Sequence, residues 1–303
     1  MISFFKIIRL PNLLIVVLTQ FVLEYLVLTP NLDKAGLSPL LDPAHFGLLV
    51  LTTVLIAAAG YIVNDLEDYE LDVINKPQKV IIGEKISVTT ATGLYWLLVV
   101  IGFAIALYLA FYVSNLKLVL LYPAATLGLW VYSKFLKRKV LSGNIIVSLF
   151  VAFVAGIVLF AERENFFRMG HDEGLLIQTV FGAYLAFAFL ANMMREIIKD
   201  MEDKKGDESN GCRTLPIVYG NQTAKLVGSF LGSLLLIMLG FALYFLWVNQ
   251  HRFAAFFALL TIISPLIFLL STLQKAQTKE DFRVLSKLIK IIMLFGLVLL
   301  IIY

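Results

Sequence analysis

Residues 175–208 read LLIQTVFGAYLAFAFLANMMREIIKDMEDKKGDE, an uncharged and largely apolar run as far as Met194 that passes without a break into closely spaced acids and bases. About twenty residues at a rise of 1.5 Å make a helix of about 30 Å, the thickness of a bilayer's hydrocarbon core. The stretch therefore predicts a helix that crosses a membrane over 175–195 and carries its charges out at one interface. Working outward, eight more runs of this kind are bounded by Pro, Gly, Asn or charge, near 11–29, 46–63, 89–113, 117–133, 143–161, 223–248, 253–273 and 285–303. The composition agrees: the 303 residues are 60% hydrophobic and 15% charged, against roughly 45–50% and 25% in soluble domains. A soluble single-core protein is excluded, and the expected fold is all-α, a polytopic membrane protein of about nine transmembrane helices.

No Gly/Ser or Pro-rich linker, low-complexity tract or solenoid-length repeat divides the chain, which predicts a single domain over 1–303. The basic head Met1–Arg9 is like that of a signal peptide, but the apolar run after Pro11 is too long and lacks a small-residue cleavage site, so it reads as a retained first span. Cys212 is the one cysteine and builds no internal disulfide framework. The net charge of +4 reports orientation rather than nucleic-acid binding. With nine spans, 20 of the 25 bases fall on one side; only Lys34, Lys117, Arg163, Arg168 and Arg252 fall on the other. The positive-inside rule then puts the N-terminus in the cytoplasm and Tyr303 outside.

The acids are as unevenly placed. Asp65, Glu67, Asp68, Glu70 and Asp72 share one short window, and Glu196, Asp200, Glu202, Asp203, Asp207 and Glu208 share another. Both windows open where a span ends, on the basic side. Asn64, Asp68 and Asp72 recur every four residues and line one face if the helix runs on; Glu196, Asp200, Asp203 and Asp207 follow i, i+4, i+7, i+11, again one helical stripe. Like charges stacked in this way call for cations. Oxygen donors without His or Cys suit Mg²⁺ or Ca²⁺ and not zinc or copper. Mg²⁺ on one or two carboxylates completes its shell with water and substrate phosphate. Lys76, Lys79, Lys199, Lys204 and Lys205, interleaved with the acids, provide charge for a diphosphate. The basic segment Tyr132–Lys139, with Lys134, Lys137 and Arg138, serves either as an orientation signal or as a phosphate ligand. Asn12, Gln20, Asn144 and Asn192 are polar groups at depth that bridge helices or face a cavity, and Glu24 is a carboxylate inside the first span.

On these residues the chain resembles the UbiA superfamily of intramembrane prenyltransferases. The resemblance rests on Asn64-Asp65-x-x-Asp68-x-x-x-Asp72 with Asn75-Lys76-Pro77, on Arg195-Glu196-Ile197-Ile198-Lys199-Asp200-Met201-Glu202-Asp203-Lys204-Lys205-Gly206-Asp207, and on Gly211-Cys212-Arg213-Thr214-Leu215-Pro216. It implies a nine-helix bundle in which two aspartate-rich motifs bracket a Mg²⁺–prenyl diphosphate. Carried over residue by residue, it implies Asn64, Asp68, Asp72, Glu196, Asp200 and Asp203 as metal ligands, with Asp68, Asp72, Asp200 and Asp203 central to catalysis. Lys76, Lys134, Lys137, Arg138 and Lys199 fall around the diphosphate; Asn12 and Asn144 are candidates for the acceptor or cavity by their depth in the spans, not by the resemblance. Glu196 stands where the wider family often has aspartate.

The second motif and its Arg-Thr-Leu-Pro tail look most like the enzymes that add a second geranylgeranyl chain to geranylgeranylglyceryl phosphate. Those enzymes tend to be proline-rich after the first motif, where this chain reads Gln78-Lys79-Val80-Ile81-Ile82-Gly83-Glu84. An aromatic quinone precursor stays open as the acceptor. The implied partners are a prenyl diphosphate, a membrane-partitioning acceptor and the bilayer, with no feature calling for nucleic acid or an obligate protein partner. An ion-coupled transporter is the non-enzyme alternative, disfavoured because its acids lie near the midplane rather than at one interface. The Asp-Gly-x-x-Ala-Arg signature of CDP-lipid alcohol transfer is missing.

Overall fold

A computed structural model describes residues 2–69 and 80–303 of the chain. Among the described residues nine helices are long and apolar enough to cross a membrane: α1 Leu10–Lys34, α2 Pro43–Glu67, α3 Val88–Tyr112, α4 Lys117–Leu136, α5 Ser142–Ala161, α6 Gly174–Ser209, α7 Gly220–Val248, α8 Arg252–Lys275 and α9 Lys279–Ile302. They contain no strand beyond an isolated bridge between Ile82 and Ile86. Large apolar side chains face outward, Leu120 being 69% exposed, Phe241 71% and Phe253 73%. A helix can leave such groups facing lipid because its backbone hydrogen bonds are satisfied internally.

Local chemistry sets the starts. Asp42 caps α2, its Oδ1 accepting from the Ala44 and His45 backbone N–H groups at 2.8 and 3.2 Å, with Pro43 in the first turn. Hydrogen bonds from the His45 ring, and then from its backbone, hold the Asp42 carboxyl down at about 2. Ser87 caps α3 through the Thr90 N–H, and Thr278 with Asp281 forms a capping box at α9. That box explains why α9 begins at Lys279 rather than near 285: the first turn is polar but well capped. The first span likewise runs past 29 to Lys34, through a π-helical turn at Leu23–Leu28 that holds Glu24 at 2% exposure.

The chain packs as two compact units, each assembled from three stretches. The first comprises Met1–Phe21, Leu32–Lys137 and Ile157–Gly170; the second comprises Val22–Asn31, Arg138–Gly156 and His171–Tyr303. In the first, Ile7, Leu13, Ala59, Ile62, Ala91 and Tyr95 form a buried cluster. Gly60 lets α2 and α4 close up, since a methyl there would stand 2.8 Å from Leu129 Cδ1. In the second, Ile197, Met201, Leu215, Leu269, Phe282 and Ile289 belong to the core, and Gly296 of α9 lies under the Phe187 ring of α6 so closely that a methyl would overlap it. α6, with 36 residues, is about 54 Å long at 1.5 Å per residue and so outreaches a hydrocarbon layer of about 30 Å. The surplus is its acidic end.

Candidate active site

The first unit holds the first acidic motif. α2 stops at Glu67, and Asp68 caps it with φ −91°, its N–H returning to the Asn64 carbonyl at 3.2 Å. Asn64 and Asp68 are thus one turn apart on one face, with Asn64 Nδ2 donating to Asp68 Oδ2 at 3.5 Å. The expected third member, Asp72, lies outside the described residues, as does Lys76.

Lys137 enters this pair from α4. The last turn of α4, Tyr132–Leu136, is π-helical, and the Lys137 N–H donates to the Tyr132 carbonyl five residues back at 2.9 Å. One extra residue in a turn rotates the residues beyond it by about 100°. The rotation brings Lys137 Nζ to Asn64 Oδ1 at 3.0 Å and into an ion pair with Asp68 Oδ2. Lys134, two residues inside the turn, instead lies over the Trp130 and Phe135 rings, 5.1 and 5.7 Å from their centroids. The structure therefore brings one of the two lysines to the carboxylate. Arg9, absent from the expected site, donates from Nη2 to Asp65 Oδ1 at 3.1 Å and sits over the Tyr61 ring at 4.8 Å. A signal for it exists in the sequence, because Asp65 is one residue off the Asn64–Asp68 face and needs a different cation. Asn12, half-buried on α1, hydrogen-bonds through its backbone N–H to the Arg9 carbonyl at 2.8 Å.

The second unit holds the second motif on α6, which stays helical through Ser209, as the stripe Glu196–Asp200–Asp203–Asp207 requires. Glu196 Oε1 accepts from its neighbour Arg195 at 2.5 Å. Asp200 Oδ2 accepts from Asn144 Nδ2 of α5 at 2.9 Å. Asp203 is half-buried and Lys199 exposed. Glu202, off the stripe, takes a 3.2 Å hydrogen bond from Arg283 Nε of α9. The Arg138 carbonyl accepts the Arg213 N–H at 2.8 Å, fastening the Arg213-Thr214-Leu215-Pro216 tail.

Among the described residues no three His, Cys, Asp or Glu side chains converge as a metal cage. The donors are oxygens in ones and twos: Asn64 with Asp68 in one unit, and Glu196 with Asp200 along α6 in the other. Each pair by itself fits Mg²⁺, which takes one or two carboxylates and completes its octahedron with water and phosphate oxygens, and does not fit zinc.

Comparison with known proteins identifies the family. The model of the UbiA prenyltransferase family matches residues 35–298. A digeranylgeranylglyceryl phosphate synthase of Methanococcus aeolicus is 33% identical over 260 residues, covering 82% of this chain and 83% of the relative. Its counterpart in Korarchaeum cryptofilum is 32% identical over 253 residues, covering 82% of each. Among solved structures, one described as digeranylgeranylglyceryl phosphate synthase in membranes superposes with a TM-score of 0.66 at 22% identity, over 99% of this chain and 96% of that one. A UbiA homologue from Archaeoglobus fulgidus bound to DMAPP and Mg²⁺ superposes with a TM-score of 0.56 at 16% identity, over 99% of this chain and all of that one. With nine membrane-length helices among the described residues and a family match over most of its length, the chain belongs to the UbiA prenyltransferases and is an integral, multi-pass membrane enzyme.

Proposed function

We propose that this enzyme transfers a geranylgeranyl group from geranylgeranyl diphosphate to geranylgeranylglyceryl phosphate, with Mg²⁺ as cofactor and the site on the cytoplasmic side. The observation that carries the acceptor is the group of relatives bearing that synthase name at about 30% identity or more over four-fifths of both chains. The uneven distribution of bases supports the orientation.

Asn64, Asp68, Asp72, Glu196, Asp200 and Asp203 would supply the oxygen ligands for Mg²⁺, which when bound would neutralise diphosphate charge and make it a better leaving group. Lys137 and Lys199, with Lys76, Lys134 and Arg138, give the diphosphate oxygens their cationic neighbours. The allylic C–O bond breaks with its electron pair leaving on the diphosphate oxygen. The glycerol hydroxyl oxygen of the acceptor forms the new C–O bond and gives its proton to the released diphosphate. Apolar helix faces keep water from the allylic cation.

The test is transfer by purified protein in detergent, using radiolabelled geranylgeranyl diphosphate and Mg²⁺ with geranylgeranylglyceryl phosphate or an aromatic quinone precursor offered separately. Labelled ether lipid from the first, lost in Asp68→Ala while that variant keeps its helical circular dichroism, is the expected result. Product from the aromatic acceptor alone overturns the acceptor assignment, and wild-type turnover by Asp68→Ala overturns the site.

A further inference from the structure

Asp200 and Asp68 are held in opposite ways. Asp68 is paired with an ammonium, Lys137; Asp200 receives a hydrogen bond from a neutral amide, Asn144 Nδ2. A cation beside a carboxylate offsets the charge that a metal needs, whereas an amide orients the carboxylate and leaves its charge in place. The helical turn that carries Asn144 is tied to α6. The Asn144 backbone carbonyl accepts from Ser148 Oγ at 2.6 Å, and Ser148 Oγ in turn accepts from Asn192 Nδ2 at 3.1 Å. The hydroxyl's single proton goes to the Asn144 carbonyl, with Met193 Sδ a more distant acceptor at 4.0 Å, and a lone pair takes the Asn192 amide.

Asn144, Ser148 and Asn192 are 7%, 0% and 4% exposed, which makes each bond hard to exchange for water. All four residues lie within the second compact unit, on α5 and α6. Asn192 and Asp200 are eight residues apart on α6, so the two rungs that join it to α5 are about 12 Å apart along the axis. α5 is thereby locked in register with the acidic stripe, and Asp200 Oδ2 is engaged from the protein side.

We infer that Asn144, held by Ser148 and Asn192, is a positioning residue that orients the Asp200 carboxylate toward a divalent cation. The inference rests on Asp200 being a ligand, as proposed above. Such supporting groups typically change metal affinity or activity by 10–100-fold when lost.

The experiment measures Mn²⁺ binding to the full-length protein in detergent by electron paramagnetic resonance, without prenyl diphosphate, for wild type, Asp200→Asn, Asn144→Leu, Ser148→Ala and Ser148→Thr. Asp200→Asn is expected to lose one Mn²⁺ affinity class. Asn144→Leu weakens the same class by about 10-fold or more and its transfer activity recovers as Mg²⁺ is raised. Ser148→Ala weakens it several-fold while Ser148→Thr, which keeps the hydroxyl, binds like wild type. Unchanged Mn²⁺ binding in Asp200→Asn overturns the ligand reading. Loss in Asp200→Asn with wild-type binding in Asn144→Leu overturns the positioning role alone. If Asn144→Leu fails to fold, equal binding by Ser148→Ala and Ser148→Thr overturns the positioning role in its place.

Discussion

Replacing Lys137 with alanine tests the first motif in isolation. The Lys137 and Asp68 side chains are 32% and 19% exposed, and the ammonium also donates to Asn64 Oδ1 at 3.0 Å. A unit-charge pair about 4 Å apart at an effective dielectric constant of about 20 is worth roughly 4 kcal/mol before desolvation. Partial exposure and the entropy of a long side chain bring the net value to about 1–3 kcal/mol, the usual range for a hydrogen bond to a charged group. At roughly 2 °C per kcal/mol for a chain of this size, Lys137→Ala should lower the metal-free Tm by about 2–6 °C.

The sign of the metal response distinguishes this reading from ordinary destabilisation. With the ammonium gone, Asp68 no longer shares its charge with Lys137, so Mg²⁺ without diphosphate should raise the Tm of the variant more than that of wild type. With Lys137 also facing the diphosphate, as proposed above, the order should reverse in turnover, and the KM for prenyl diphosphate should rise by about 10-fold or more. Differential scanning fluorimetry in detergent with and without Mg²⁺, alongside initial-rate kinetics, supplies both readings. A variant with wild-type Tm and an unchanged Mg²⁺ response would refute the idea that Lys137 restrains Asp68.

Three further predictions concern the frame. Glu162, 1% exposed, accepts from the Leu40 and Leu41 N–H groups at 2.8 and 3.3 Å and from Asn165 Nδ2 at 2.7 Å, all within the first unit. Glu162→Ala strands those donors and should cost about 2–5 kcal/mol, read as a lower Tm. Burial, ahead of these hydrogen bonds, raises the Glu162 carboxyl above its ordinary 4.5. The folded state therefore keeps the proton to higher pH than the unfolded chain, and Glu162's contribution is most favourable below 4.5 and declines as pH rises through the folded value. Glu162→Gln should flatten Tm against pH above 4.5; an unchanged slope would sink that assignment. Gly296→Ala drives a methyl into the Phe187 ring and should cost about 1–3 kcal/mol by overpacking, partly restored by adding Phe187→Leu. Equal thermal stability of the single variant and wild type would contradict the close approach of α9 to α6.

Features governed by local forces are the ones legible in the sequence. The nine spans are legible because hydrocarbon thickness sets a minimum run of apolar residues, and the extension of α6 to Ser209 because its acids keep a helical period. The beginning of α9 is not, because the Thr278–Asp281 box stabilises a turn whose composition reads as polar loop. The choice of Lys137 over Lys134 depends on a change in backbone hydrogen-bonding from i−4 to i−5, which leaves no mark on the periodicity of the side chains. The partner of Asp200 is legible only as a polar residue, Asn144, at the start of a span; pairing the two requires the packing of α5 on α6. The two compact units stay hidden because each draws on three separated stretches.

The π turn at the end of α4 also sets how this segment tolerates changes in length. Its closing bond runs from the Lys137 N–H to the Tyr132 carbonyl. Deleting one residue between them turns that bond into an ordinary α-helical one while keeping donor, acceptor and direction, so the lysine stays in phase with α2. A deletion one helical turn earlier, before Tyr132, has no such slack and turns the lysine away from Asn64 and Asp68. Tyr132–Leu136 is therefore a place where the loss of one residue should disturb the site less than replacement of Lys137, which follows the turn, does.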